Sequence, residues 1–162
     1  MHIRPYTPSD AVAIAQLFTD AVHGLAASHY DAVQREAWAP RPPDFDQWKA
    51  RLEPLQILVA QEERKGEGAL LLGFVGYETN GHIDLLFTSP AAARQGVASQ
   101  LYGRAETALS ALGVQRCFTE ASLVSRLFFE RQGYGVQEEQ CVERRGALLR
   151  RFAMTKMLGS GV

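Results

Sequence analysis

The chain has 162 residues, 46% of them hydrophobic, and a formal net charge of −1 at neutral pH. That size and apolar content suit one domain over 1–162, able to bury a core without disulfides or structural metal. No long run of like charges occurs, which disfavours a nucleic-acid partner while leaving room for a small anionic cofactor. Wholly apolar runs such as Ala69–Leu72 are too short to cross a bilayer. Met1–Tyr6 has no apolar signal core, so the expectation is a cytoplasmic protein without membrane attachment.

In chain order, His2–Tyr6 reads as an opening strand, and Pro8-Ser9-Asp10 starts a helix whose core face is Ile14, Leu17, Phe18, Ala21, Val22 and Leu25. Asp31, with Gln34 in capping-box spacing, opens a second helix that Pro40, Pro42 and Pro43 close. A short helix carrying Phe45, Trp48 and Leu52 follows. Gln56–Ala60 and Leu70–Tyr77, joined by a charged turn from Glu62 to Gly68, predict a hairpin that feeds the strand His82–Thr88. Val97, Leu101, Ala105, Ala108, Leu109 and Leu112 recur at helical spacing over Gly96–Leu112, which Gly113 ends. A fifth strand, Val114–Ala121, then a short helix, Ser122–Gln132, and a hairpin, Gly135–Glu143 with Ala147–Met157 around Arg145-Gly146, complete the chain. Cys117 and Cys141 fall in strand-like runs without metal-ligand spacing, so both are expected to be buried free thiols.

Pro90–Ala98, PAAARQGVA, joins an apolar strand to the long amphipathic helix. The first N–H groups of a helix have no intrahelical partner and lie at the positive end of its dipole, an arrangement that binds phosphate. Gly96, Ala98 and Ser99 are small enough to let a ligand approach the main chain. The same pattern also occurs in plain strand-to-helix connections.

This turn, the element order and the segment Ser125–Tyr134, SRLFFERQGY, together resemble the GNAT family of acetyl-CoA-dependent N-acyltransferases over nearly the whole chain. The resemblance implies a single α/β (α+β) domain, a mixed but mostly antiparallel sheet of about seven strands flanked by about four or five helices. Pro90, Gly96 and Ala98 match the family's pyrophosphate turn, while Ala93 replaces its usual Arg or Gln. The resemblance implies that acetyl-CoA phosphates are held by main-chain N–H groups of Arg94, Gln95, Gly96, Val97, Ala98 and Ser99, with Arg94 supplying charge. It also implies that the fourth and fifth strands part, leaving the main chain at Leu86, Phe87 and Thr88 for the pantetheine amides, one N–H polarising the thioester carbonyl. Ser125, Phe128 and Phe129 are further expected cofactor contacts, and Arg131, with Arg126, either reaches the adenosine 3′-phosphate or forms the solvated face of its helix. Phe129 stands where many members carry a Tyr that protonates the leaving thiolate; Ser122, Tyr134 or water are the substitutes, Tyr134 being equally a core residue.

Aminolysis of a thioester requires a free amine, so a base or water relay must remove a proton. His82 and Asp84, two residues apart on one strand, emerge on one sheet face and can tune each other; Glu120 is a further candidate. Alternatively His82 is a solvent-facing strand end and Asp84 pairs with a basic neighbour. The resemblance places the acceptor pocket along Val22–Trp38, where His23, His29, Tyr30 and Trp38 are candidate substrate contacts or ordinary packing residues. The expected reaction is direct acetyl transfer to a primary amine of a small molecule or peptide. A CoA-binding sensor that has lost catalysis, or a nucleotide-phosphate-binding regulator, are the other readings. The terminal hairpin offers an edge for a homodimer, or an edge that Arg144, Arg145, Arg150 and Arg151 protect from pairing.

Overall fold

The computed structural model describes residues 1–159, so residues 160–162 of the expected domain lie outside the described residues. The order is β1 (His2–Pro5), α1 (Ala11–Leu25), α2 (Ala32–Trp38), α3 (Phe45–Leu52), β2 (Gln56–Arg64), β3 (Gly68–Tyr77), β4 (His82–Thr88), α4 (Val97–Ala111), β5 (Arg116–Ser122), α5 (Arg126–Arg131), β6 (Gly135–Arg144) and β7 (Ala147–Met157). The strands form one seven-stranded sheet of order β1-β2-β3-β4-β5-β7-β6. Every neighbouring pair is antiparallel except β4 and β5, the parallel pair that α4 connects.

Helices cover both faces of this sheet because its central strands are apolar on both sides. On one face α4 buries Val97, Leu101, Tyr102, Ala105 and Leu109 against Val75, Ile83, Cys117 and Met154. On the other, α1 and α3 bury Ile14, Phe18, Trp48 and Leu52 against Val59, Phe74 and Leu85. Burial of each large apolar side chain contributes about 1.5–3 kcal/mol. Gly73 sets the closeness of α4 to the sheet, since a Cβ there would lie 3.0 Å from Val97 and 2.9 Å from the Phe87 carbonyl oxygen.

Local signals produce the expected starts and turns. Asp31 accepts a hydrogen bond from the Gln34 N–H at 2.8 Å, and Gln34 Oε1 accepts one from the Asp31 N–H at 2.9 Å, the reciprocal box that starts α2. Arg145 and Gly146 both take positive φ, 47° and 82°, closing β6 onto β7 with Arg144 opposite Ala147. Four expectations are corrected. The charged stretch Glu62–Arg64 is strand, paired with Leu70–Gly68, because an exposed ladder needs no apolar partner to continue. The last helix starts at Arg126 and not at Ser122, because Ser122 and Ser125 exchange hydroxyl and N–H bonds that hold a turn between them. Cys117 is buried as expected, but Cys141 is exposed on the outer strand β6. The hairpin arginines do not all guard an edge: Arg150 and Arg151 lie on β7, which is interior to the sheet, and Arg145 donates to the Ala37 carbonyl at 2.6 Å. Among the described residues no helix is long and apolar enough to cross a membrane.

Candidate active site

Among the described residues β4 and β5 pair only at His82↔Phe118 and Ile83↔Thr119. β4 remains paired to β3 as far as Thr88↔Gly73. Among the described residues the main chain from Asp84 through Leu86, Phe87 and Thr88 therefore has no strand partner on its β5 side, and a wedge opens between the two strands. Free N–H and C=O groups along such an edge can bond an extended, amide-bearing chain.

The wedge runs into the turn before α4. Pro90–Ala92 makes a single 3-10 turn, and Arg94 and Gly96 then take left-handed φ of 63° and 80°. The first helical bond of α4 runs from the Gln100 N–H to the Gly96 carbonyl at 3.1 Å, and no N–H from Arg94 to Ser99 has a main-chain acceptor among the described residues. A Cβ added at Gly96 would meet nothing within 4 Å, so the space above these donors is open. Donors gathered at the positive end of a helix 15 residues long suit a pyrophosphate. Arg94 and Gln95 are exposed, with Gln95 Nε2 bracing the turn at the Ala91 carbonyl, 3.2 Å away. Wedge and turn together fit a CoA-type cofactor.

A half-enclosed cavity of about 130 Å³ lies on the α1 side of the wedge. Phe18, Tyr30, Trp38 and Phe87 make its aromatic wall. Asp84, Leu85, Glu120 and Ser122 come from the parting strands, Arg51 from the end of α3, and Val142, Arg144, Leu149, Arg150 and Arg151 from the terminal hairpin. Asp84 reaches this cavity through a β-bulge: Ile83 pairs with Tyr77 and Leu85 with Gly76, so Asp84 has no opposite residue on β3. The extra residue lets Asp84 and Leu85 line the same cavity.

His82 lies behind Glu120. Its Nε2 is 2.8 Å from Glu120 Oε1 and its Nδ1 is 2.7 Å from Glu78 Oε1, while its ring stacks on Phe118 at 4.9 Å between centroids. The bond from Glu120, followed by that from Glu78, pushes the imidazole up to about 9 against the opposing effect of burial. His82 is therefore an imidazolium at neutral pH and not a vacant proton acceptor. In return, the His82 bond holds the Glu120 carboxyl below its ordinary value, with burial opposing and Arg151 adding to the effect. The lone pairs available in the cavity are those of Glu120 and Asp84.

The remaining expected residues separate into two groups. Ser122 lines the cavity, but its hydroxyl is 3.1 Å from that of Ser125, the residue before α5. Tyr30 also lines it, yet its hydroxyl is committed: it donates to the Arg150 carbonyl at 2.7 Å and accepts from the Leu123 N–H at 2.9 Å. Trp38 packs edge-on against Tyr30, with centroids 5.3 Å apart. His23 and His29 do not line the cavity. His23 is turned to the Ala39 carbonyl, 2.8 Å from its Nε2, and His29 is exposed. Phe129 is buried among Tyr102, Phe128 and Tyr134, with the Tyr102 hydroxyl donating to that of Tyr134 at 2.9 Å. Burial pushes both tyrosines far above the ordinary phenol value, and neither lines the cavity. Arg131 is exposed on α5. Arg51, Arg144, Arg150 and Arg151 were not expected in the site; only the strand order that puts β7 beside β5 brings the hairpin arginines there.

Comparison with known proteins agrees with this geometry. The family model described as "Acetyltransferase (GNAT) domain" matches residues 26–156. The chain is 35% identical over 154 residues to the uncharacterized N-acetyltransferase YafP of Escherichia coli K12, covering 95% of this chain and 94% of that protein. A GCN5-related N-acetyltransferase structure from Rhodopseudomonas palustris superposes with a TM-score of 0.88 at 30% identity, covering 97% of this chain and 95% of the other. The PaiA N-acetyltransferase of Thermoplasma acidophilum, solved in complex with coenzyme A, shares the fold at a TM-score of 0.73 and 15% identity, covering 97% and 98%. The chain belongs to the GNAT acetyltransferase family, which uses acetyl-CoA.

Proposed function

We propose that the protein transfers the acetyl group of acetyl-CoA directly to a primary amine held in the 130 Å³ cavity. The parting of β4 from β5 after two paired positions carries this reading, because it joins the phosphate-type turn to a cavity lined by carboxylates. The N–H groups of Arg94–Ser99 take the pyrophosphate, the β4 edge at Leu86–Thr88 takes the pantetheine arm with Ser125 and Phe128 beside it, and the exposed Arg131 serves the adenosine phosphate. Acetyl-CoA, when bound, supplies an activated acyl carbon whose C–S bond breaks as the C–N bond forms.

Glu120 and Asp84 hold the amine, and Glu120 takes the proton that nitrogen sheds, directly or through one water. His82 is a positioning residue that keeps Glu120 ionised and aimed. The departing sulfur collects its proton from solvent, since Phe129 has none to give and the Ser122 hydroxyl is shared with Ser125. A thiolate is a good enough leaving group for this, with a pKa of roughly 8.5.

Calorimetric titration with acetyl-CoA, beside Gly96→Glu, tests the cofactor site; a thiol-release screen of amines tests transfer. Micromolar binding lost in the variant, with thiol released by at least one amine, is the expected result. No binding to the folded wild type overturns the reading. The buried, hydroxyl-free Phe129 favours one rival, a CoA-binding sensor, which saturable binding without thiol release for any amine would support.

A further inference from the structure

The cavity contains more guanidinium groups than its own carboxylates satisfy. Arg150 is paired to Glu139, Nε to Oε1 at 2.8 Å, and Arg151 Nε donates to Gln140 Oε1 at 2.9 Å. Glu120 pairs with His82 through Oε1 and with no arginine among the described residues. Arg51, Arg144 and Asp84 remain. Among the described residues neither guanidinium donates a hydrogen bond, and neither lies within the 4.0 Å ion-pair distance of a carboxylate.

The Arg51 side chain and the main chain at Arg144 are nevertheless held in place. The Arg51 Cζ sits 5.0 Å above the ring of Trp48, itself buried under α1, so the guanidinium projects from the end of α3 toward the cavity. Arg144 precedes the tight Arg145-Gly146 turn, and Arg145 fastens that turn to α2 through the Ala37 carbonyl. Two elements distant in sequence thus bring like charges to one cavity, where burial disfavours the charge of Arg51, Asp84 supports it and Arg144 opposes it. A guanidinium pair with free donor edges is suited to an oxyanion, which it binds with charge-assisted, bidentate hydrogen bonds. That oxyanion is not the cofactor pyrophosphate, because no residue from Arg94 to Ser99 lines this cavity.

We infer that Arg51 and Arg144 bind an oxyanion carried by the acceptor itself, so that the acceptor is a small zwitterion of amino-acid type: amine toward Glu120 and Asp84, acid group toward the two arginines, apolar part on the Phe18, Trp38 and Phe87 wall. The inference rests on the acetyltransferase reading for its amine half only.

Matched amines test it. Thiol release is measured for L-phenylalanine against 2-phenylethylamine, L-leucine against 3-methylbutylamine, and the α-aminophosphonate analogue of phenylalanine, which separates carboxylate from phosphorus oxyanion. The expected result is a kcat/KM at least about tenfold higher for the acid-bearing member of a pair, carried by KM. Arg51→Gln and Arg144→Gln each bring that ratio toward one, with acetyl-CoA affinity retained. A ratio at or below one in wild type, or a ratio that survives both substitutions, overturns the inference. Equilibrium titration of the same amino acids and aminophosphonate into the protein, with and without CoA, needs no turnover. Binding that Arg144→Gln removes supports the oxyanion site even where no acetyl transfer is found, and then it is the transfer reading that fails. Absence of binding by every acid-bearing amine overturns the inference.

Discussion

Glu120 Oε1 and His82 Nε2 stand 2.8 Å apart across the parting strands, although 38 residues separate them in sequence. With Glu78 on the other ring nitrogen at 2.7 Å, the imidazole is clamped between two carboxylates, and both of its N–H groups are donors. An NMR titration of His82 is therefore expected to show a pKa near 9. In Glu120→Gln the largest cause of the rise is removed, and the value should fall toward the ordinary 6.5. A titration near 6.5 in wild type would mean that the clamp does not form in solution.

The same clamp makes stability depend on pH. The folded-state value of His82 is raised above its unfolded one, so its contribution is fully present below about pH 6.5 and is lost as pH rises through about 9. Melting temperatures of wild type and His82→Gln, measured from pH 6 to 10, should converge as pH passes about 9. A gap that stays constant over that range would assign the effect of the substitution to packing on Phe118 alone.

Glu120→Gln keeps the size of the side chain and removes the proposed proton acceptor. The kcat of acetyl transfer is expected to fall roughly 100-fold, the lower end of what general-base groups supply, with acetyl-CoA affinity changed by less than about twofold. Thiol-release kinetics together with calorimetry separate the two. An unchanged kcat would return the proton-accepting role to Asp84 or to water.

Gly96 isolates a backbone requirement from a steric one. Its φ of +80° is one that L side chains rarely adopt, yet a Cβ there would meet nothing within 4 Å. Gly96→Ala should cost about 1 kcal/mol of stability through backbone strain alone, read as a shift in denaturant midpoint. It should also weaken acetyl-CoA binding, by less than Gly96→Glu does, because the turn regains a relaxed φ only by moving the N–H groups of Val97 and its neighbours. Undiminished binding in both variants would separate the turn from the cofactor.

What could be read from sequence was what is decided locally. The Asp31–Gln34 box, the Arg145-Gly146 turn and the glycine start of α4 each depend on a few adjacent residues, and each stands where expected. An Asp within the apolar run Ile83–Phe87 is costly unless it meets polar surroundings, and Asp84 lines the cavity. Its bulge was not legible, since it exists only in the register between β3 and β4. Nor were Arg51 and Arg144, which share a cavity only because β7 inserts between β5 and β6 and because α3 packs beside α1. The sequence-local clustering of His23, His29, Tyr30 and Trp38 overstated their joint role: the first two do not line the cavity, and Tyr30 spends its hydroxyl on structure.

Tyr30 shows what that structural use is worth. Its hydroxyl joins the β7 carbonyl of Arg150 to the N–H of Leu123, tying the terminal hairpin to the loop after β5 at one wall of the cavity. The side chain is 4% exposed, so Tyr30→Phe leaves both main-chain groups short of a partner where water has little access. The cost should be about 1–3 kcal/mol, the usual penalty for stranded buried polar groups, against a much smaller loss of apolar contact. Denaturant unfolding measures it directly. Because the ring still fills the wall, acetyl-CoA affinity should hold, while KM for the amine rises as Arg150 and its strand lose their tether; a variant as stable as wild type would show that the hydroxyl bonds are not formed in solution.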